Sequence, residues 1–228
     1  MKTLLVTGTD TDVGKTVLTS TLAAYWYQYR SNQSLGLMKL MQTGIGDDEH
    51  YQSLFANHAT GDIVTPLKFK TPVAPPIAAE REGREIPLET VWQALTQLQK
   101  KHQFVLVEAL GGLGSPVTSE LSVADIAGLW RLETVLVVPV KLGAIAQAVA
   151  NVALARQTKV TVKGIVLSCN KPESEEKLDD WAPIEMVQNF TQVPVLGVLP
   201  YFSAEQLKDI HYLGQIGSRL DWEKLSIE

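Results

Sequence analysis

Short apolar runs alternate with stretches of helical period along most of the chain. Thr3–Thr7 (TLLVT), Leu35–Met38, Phe104–Glu108 (FVLVE), Thr134–Val140, Val162–Leu167 (VKGIVL) and Val195–Leu199 read as strands, and Ile63–Lys68 as a further one. From Thr16 to about Tyr29, Val17, Leu18, Thr21, Leu22, Tyr25 and Trp26 fall near one helix face. Leu88–Lys101 is amphipathic, with Leu88, Val91, Trp92, Leu95 and Leu98 at helical spacing behind Pro87. Ala144 to about Gln157, a segment holding Met186–Phe190, and about His211 to Leu220 complete the predicted helices. Lys70–Pro87, with three prolines before the last and Gly83, reads as a long loop, and Pro172–Asp180 (PESEEKLDD) as a solvated acidic one.

Strands that are apolar throughout are buried on both faces, which is what a parallel sheet covered by helices demands. The predicted fold is therefore α/β: a mostly parallel sheet with helices on both faces and ligands at the carboxyl ends of its strands. At 228 residues the chain fits one domain spanning 1–228.

Composition narrows the functional classes. The net charge of -5 argues against a nucleic-acid partner, whose binding needs many phosphate contacts. The lone Cys169 can form no internal disulfide, which fits a reducing compartment, and it reads as a small buried residue rather than a nucleophile. Leu4–Val6 is too short for a signal-peptide core, and Val135–Val140 stops at Lys141, far short of a membrane span. A soluble, cytoplasmic protein with no membrane partner is expected. His50, His58, His102 and His211 lack zinc spacing, and no G-x-S-x-G elbow is present. Trp92, Trp130 and Trp181 read as core or interface residues.

The chemistry concentrates behind the first strand. Gly8-Thr9-Asp10-Thr11-Asp12-Val13-Gly14-Lys15-Thr16 joins that strand to a helix, which makes the fold P-loop NTPase-like. Glycines let backbone N–H groups turn towards one anion, and the helix N-terminus adds positive potential. Asp12, Val13, Gly14, Lys15, Thr16 and Val17 form the predicted nucleotide-binding run, with Lys15 reaching the outer phosphates and Thr16 offering its hydroxyl to Mg²⁺. The usual pattern wants Gly where Thr9 stands; Gly8 is one residue earlier. Glu108, closing a buried strand ahead of Ala109-Leu110-Gly111-Gly112, is the leading candidate for the metal acid. In Gly46-Asp47-Asp48-Glu49 the residues alone do not separate the three acids, and a helix cap is an alternative reading of Asp48. Lys39, closing the second strand, points towards the same crevice and could neutralise a transferring γ-phosphoryl group. Lys141 has the same geometry with weaker support.

Together GTDTDVGKT, Lys39 with Thr43-Gly44, VLVEALGG, VPVKLGAI and VPVLGVLPY, in this order from about Thr3 to about Phe202, resemble the dethiobiotin synthetase family. Glu82-Gly83-Arg84-Glu85-Ile86 is similar to the family's segment after its Pro-rich loop. The resemblance implies a cytoplasmic homodimer that closes a ureido ring on 7,8-diaminononanoate with CO2 and ATP, through a carbamate and a carbamic–phosphoric anhydride. It singles out Asp47 as the metal acid beside Thr16 and Glu108, and Lys39 as an active-site lysine. It places Thr11 and Asp12 near substrate and nucleotide, Thr43 at a substrate-contacting position, and Gly111 in a loop beside phosphate and substrate. Ser168 and Cys169, with Pro200, Tyr201 and Phe202, match its adenine-side segments.

The chain departs from the family pattern at three points. Glu108-Ala109-Leu110-Gly111-Gly112 stands where E-G-A-G-G is common, Ala146 where an Asn helps bind the substrate carboxylate, and Ser168 where an Asn commonly meets adenine. The competing reading is a partition or MinD-type ATPase switch. Those relatives carry a signature Lys early in the phosphate loop, where this chain has Asp10, and its tail from Asp221 to Glu228 is short and acidic.

Overall fold

The computed structural model describes residues 2–55, 61–222 and 224–225. In chain order the elements are β1 (Lys2–Gly8), α1 (Lys15–Tyr29), β2 (Leu35–Lys39), β3 (Gln42–Thr43), α2 (Asp47–Phe55), β4 (Gly61–Val64), β5 (Lys68–Phe69), α3 (Pro75–Arg81), α4 (Leu88–Lys101) and β6 (Phe104–Gly112). Then follow α5 (Val123–Leu129), β7 (Glu133–Pro139), α6 (Ala144–Gln157), β8 (Val162–Ser168), α7 (Glu173–Glu176), α8 (Leu178–Trp181), α9 (Ile184–Thr191), β9 (Val195–Leu199) and α10 (Ile210–Gly217). Seven strands form one sheet in the order β4-β2-β6-β1-β7-β8-β9, and every pairing in it is parallel. β3 and β5 pair separately.

Alternate residues of each strand face opposite sides, so one strand feeds two cores. Leu5, Val105, Val107, Leu136 and Val138 pack with Leu95, Ala127 and Ala148 on one face. Leu4, Val6, Leu106, Val135 and Val137 pack with Leu18, Leu22 and Leu213 on the other. Helices on both faces thus follow from strands with no polar side.

Three predicted segments differ. Ile63–Lys68 is two strands in different sheets, divided at Pro66, which has no N–H for a ladder. Lys70–Pro87 contains α3, whose Pro75 and Pro76 occupy the first helical turn, where a missing N–H costs nothing. The acidic Pro172–Asp180 stretch carries α7 and most of α8, with Ser174 buried. Of the core and interface readings of Trp92, exposure removes only the first; the ring leans on Trp130, centroids 5.1 Å apart. Glu223 and residues 226–228 of the acidic tail lie outside the described residues.

Strand order reverses about β1, flanked by β6 and β7. The loop after β1 therefore opens at the switch point, where parallel sheets hold ligands.

Candidate active site

β1 delivers the phosphate loop to the start of α1. Gly14 caps that helix with φ at 102°, a left-handed conformation that a side chain resists. The loop leans on the turn after β6: Leu113 N–H donates to Gly8 at 3.1 Å. A Cβ on Gly112 would lie 2.7 Å from the Thr9 carbonyl, so glycine there lets the two loops touch. Lys15 is buried and donates to the Asp10 carbonyl at 2.9 Å, folded over its own loop. Burial lowers its pKa, only partly offset by Glu108.

β2 and β6 are paired so that Lys39 stands beside Glu108, and α2 brings Asp47 onto Lys39. The Lys39 ammonium donates to Glu108 Oε1 at 2.8 Å and to the Ala109 carbonyl at 3.2 Å, and pairs with Asp47 Oδ2. The Thr16 hydroxyl lies 2.8 Å from Asp47 Oδ1 and 3.0 Å from Glu108 Oε1. Burial opposes the charge on Lys39, yet Glu108 and Asp47 outweigh it and raise its pKa. Burial also works against the Asp47 carboxylate, but Lys39 and Thr16 hold it below the usual range. Glu108 is fully buried, which pushes its pKa up despite Lys39.

The three acids of the Gly46–Glu49 segment are thereby separated. Asp47 reaches the cluster. Asp48 turns away into a buried contact with Thr65 and Lys68, and is not a cap. Glu49 accepts from Gln42 at 2.8 Å and from Gly46 N–H at 2.9 Å, closing its own turn.

A cavity of about 500 Å³ gathers these groups. Thr11, Asp12, Gly14, Lys15, Thr16, Val17, Lys39, Thr43, Asp47, Glu108, Gly111, Ser168, Cys169, Pro200, Tyr201 and Phe202 all line it. Val13 does not; its side chain is buried in the core beside α1. Lys141 is exposed and outside the lining. Sequence reading missed Met41, Gln42 and Leu207 as wall residues, whereas Asn170, next to Cys169 in the wall, donates its amide to the Asp12 carbonyl at 3.1 Å and so ties that wall to the phosphate loop. It also missed Tyr51, whose phenol donates to Glu108 Oε2. A polar aromatic four residues after an acid is the signal that could have found it, because i and i+4 share a helix face.

Two carboxylates and one hydroxyl converge where a nucleotide's outer phosphates would reach. Hard oxygen donors in that number suit Mg²⁺, which keeps waters and shares phosphate oxygens rather than filling a cage of side chains. Among the described residues no three or more His, Cys, Asp or Glu side chains are grouped so that they alone could hold a metal ion.

A family profile described as an AAA domain matches residues 2–206. An ATP-dependent dethiobiotin synthetase of Gloeothece citriformis is 63% identical over 99% of both chains. One from Synechocystis is 61% identical over 99% of this chain and 95% of its own, and one from Bacillus cereus 32% identical over 92% and 87%. The chain belongs to the dethiobiotin synthetase family. Among solved structures, a ParA-family ATPase of Chlorobium tepidum superposes with a TM-score of 0.61 at 12% identity, covering 99% of this chain and 97% of that one. The MinD cell division protein of Aquifex aeolicus gives 0.60 at 14%, covering 100% and 98%. These likenesses show the fold alone, so they give the switch reading no support beyond a shared scaffold.

Proposed function

We infer that the chain catalyses ATP-dependent ring closure of 7,8-diaminononanoate with CO2, giving dethiobiotin, ADP and phosphate. One amine of the substrate takes up CO2 as a carbamate. A carbamate oxygen attacks the γ-phosphorus and ADP leaves. The second amine then attacks the resulting mixed anhydride, a C–N bond forms, and phosphate departs with the former carbamate oxygen.

The observation that carries this reading is the meeting of Lys15, Lys39, Thr16, Asp47 and Glu108 in one cavity, in a chain of this family. Every intermediate is anionic, so catalysis is positioning and charge stabilisation rather than covalent work by the protein. Lys39, held as an ammonium by its carboxylate neighbours, faces the charge that develops on carbamate and γ-phosphate. Lys15 has one backbone acceptor and can leave it for the phosphates. Thr11, Thr43 and Gly111 orient the diamine, and Asp12 to Val17 hold the triphosphate. Ser168, Cys169, Pro200, Tyr201 and Phe202 frame the base. Mg²⁺ held by Thr16, Asp47 and Glu108 would neutralise phosphate charge.

The same reading includes a homodimer and a cytoplasmic location. Ile45 and Leu142, 91% and 82% exposed, stand in loops at the sheet's carboxyl edge, which supports a partner seated near the cavity mouth. No helix among the described residues is long and apolar enough to cross a membrane.

The deciding assay incubates the protein with ATP, Mg²⁺, bicarbonate and 7,8-diaminononanoate and seeks dethiobiotin by mass spectrometry. A folded, ATP-binding protein that forms no product refutes the reading.

A further inference from the structure

The two oxygens of Glu108 have different neighbours. Oε1 accepts from Lys39 at 2.8 Å and from Thr16 at 3.0 Å, on the cavity side. Oε2 accepts from the phenol of Tyr51, a fully buried side chain. Tyr51 lies one turn after Asp47 on α2, so one helix face brings a carboxylate to one side of the cluster and a phenol to the other.

That face is fixed from several directions. Asp48 is held by Thr65 and Lys68, and its N–H donates to Gln42 at 2.8 Å. The His50 ring nitrogen sits 3.0 Å from the Ser20 hydroxyl on α1. These contacts hold α2 against α1 and β5, and burial encloses the Tyr51 ring at Glu108.

A carboxylate with both oxygens free can grip a cation with both. Ca²⁺ is large and readily takes such bidentate ligands, whereas Mg²⁺ demands a small octahedral shell. Partners behind a metal ligand fix how that ligand is offered. We propose that Tyr51 is a positioning residue that sets cation selectivity: by occupying Oε2 it leaves Glu108 one oxygen for a divalent ion and favours Mg²⁺ over Ca²⁺. The proposal rests on Glu108 being a metal ligand, as argued above.

The test follows Mn²⁺ held by the full chain with adenylyl imidodiphosphate, by electron paramagnetic resonance, as Ca²⁺ or Mg²⁺ displaces it. In Tyr51→Phe the ring remains and the donor is gone. The ratio of the Ca²⁺ to the Mg²⁺ displacement midpoint is expected to fall about tenfold, the scale on which partners of metal ligands act. Thermal unfolding verifies folding, and Tyr51→Leu serves as a second donor-free variant should the first not fold. An unchanged ratio in a folded donor-free variant overturns the proposal. Glu108→Gln separates the two levels: if it abolishes Mn²⁺ binding while Tyr51→Phe leaves the ratio unchanged, only the role of Tyr51 fails. If Glu108→Gln binds Mn²⁺ as before, the metal reading falls and takes this proposal with it.

Discussion

Among the described residues Lys39 is the cation that pairs with both carboxylates of the cluster, and that contact gives it two duties. It balances buried negative charge before nucleotide binds, and in the proposed reaction it would also meet the anion that forms. Lys39→Met removes both. Turnover is expected to fall about 10²- to 10³-fold, the usual loss for one preorganised electrostatic partner. The nucleotide-free variant should also lose about 3 kcal/mol in urea unfolding, the lower end for breaking a buried pair, because a third of the Asp47 side chain stays in water. Near wild-type turnover would remove Lys39 from the mechanism. Cys169 gives a second check in the same cavity. Burial, with Glu175 adding to it, pushes the thiol up to about 11. At pH 8 only about one molecule in a thousand then carries a thiolate, so iodoacetamide should label it slowly and ATP should slow it further. Rapid labelling at pH 8, indifferent to ATP, would contradict both its burial and its proposed place beside the nucleotide.

At the scale of elements, the site is a junction of three loops rather than a property of any one. The phosphate loop leans on the turn after β6, and the closest approach is Gly112 against the Thr9 carbonyl. In Gly112→Ala the new methyl group collides with backbone, which cannot swing aside as a flexible side chain would. ATP affinity measured by calorimetry should drop by about tenfold or more, with the melting temperature changed far less, since the lesion is local. Unaltered ATP affinity would show that the phosphate loop holds its shape without that contact. The same junction explains which parts were legible in the sequence. β1, β6 and β7 announce themselves because strands buried on both faces are apolar at every position. The phosphate loop does so because its chemistry lies within nine consecutive residues. α2 did not, because Asp47–Phe55 (DDEHYQSLF) is mostly polar and its order comes from contacts with Ser20, Thr65 and Lys68. Tyr51 reads as an ordinary core aromatic until Glu108, fifty-seven residues away, is set beside it. α3 was hidden by its prolines, which break a helix interior but suit a first turn.

Across the whole molecule, negative charge exceeds positive, so the site must concentrate its few lysines at the sheet's carboxyl edge, while carboxylates elsewhere tie elements together. Asp62, on the edge strand β4, accepts from Lys101 at 2.5 Å and lies 3.2 Å from the His102 ring, at the end of α4. Both contacts hold its carboxyl below the usual range. Asp125 is held low by the Ser122 hydroxyl and N–H in the capping box of α5. A carboxyl with a depressed folded pKa binds fewer protons folded than unfolded. Its stabilisation is therefore complete above the unfolded value of about 4 and is lost as pH falls through the lower, folded value. Melting temperature should thus hold level from neutral pH down to about pH 4 on account of these groups and decline below it. Asp62→Asn removes one contributor: the variant should melt below the parent at pH 7, and the two curves should converge as both Asp62 and its unfolded counterpart become protonated near pH 2. Curves that stay parallel down to that pH would mean that Asp62 acts through packing of the β4 edge rather than through its charge.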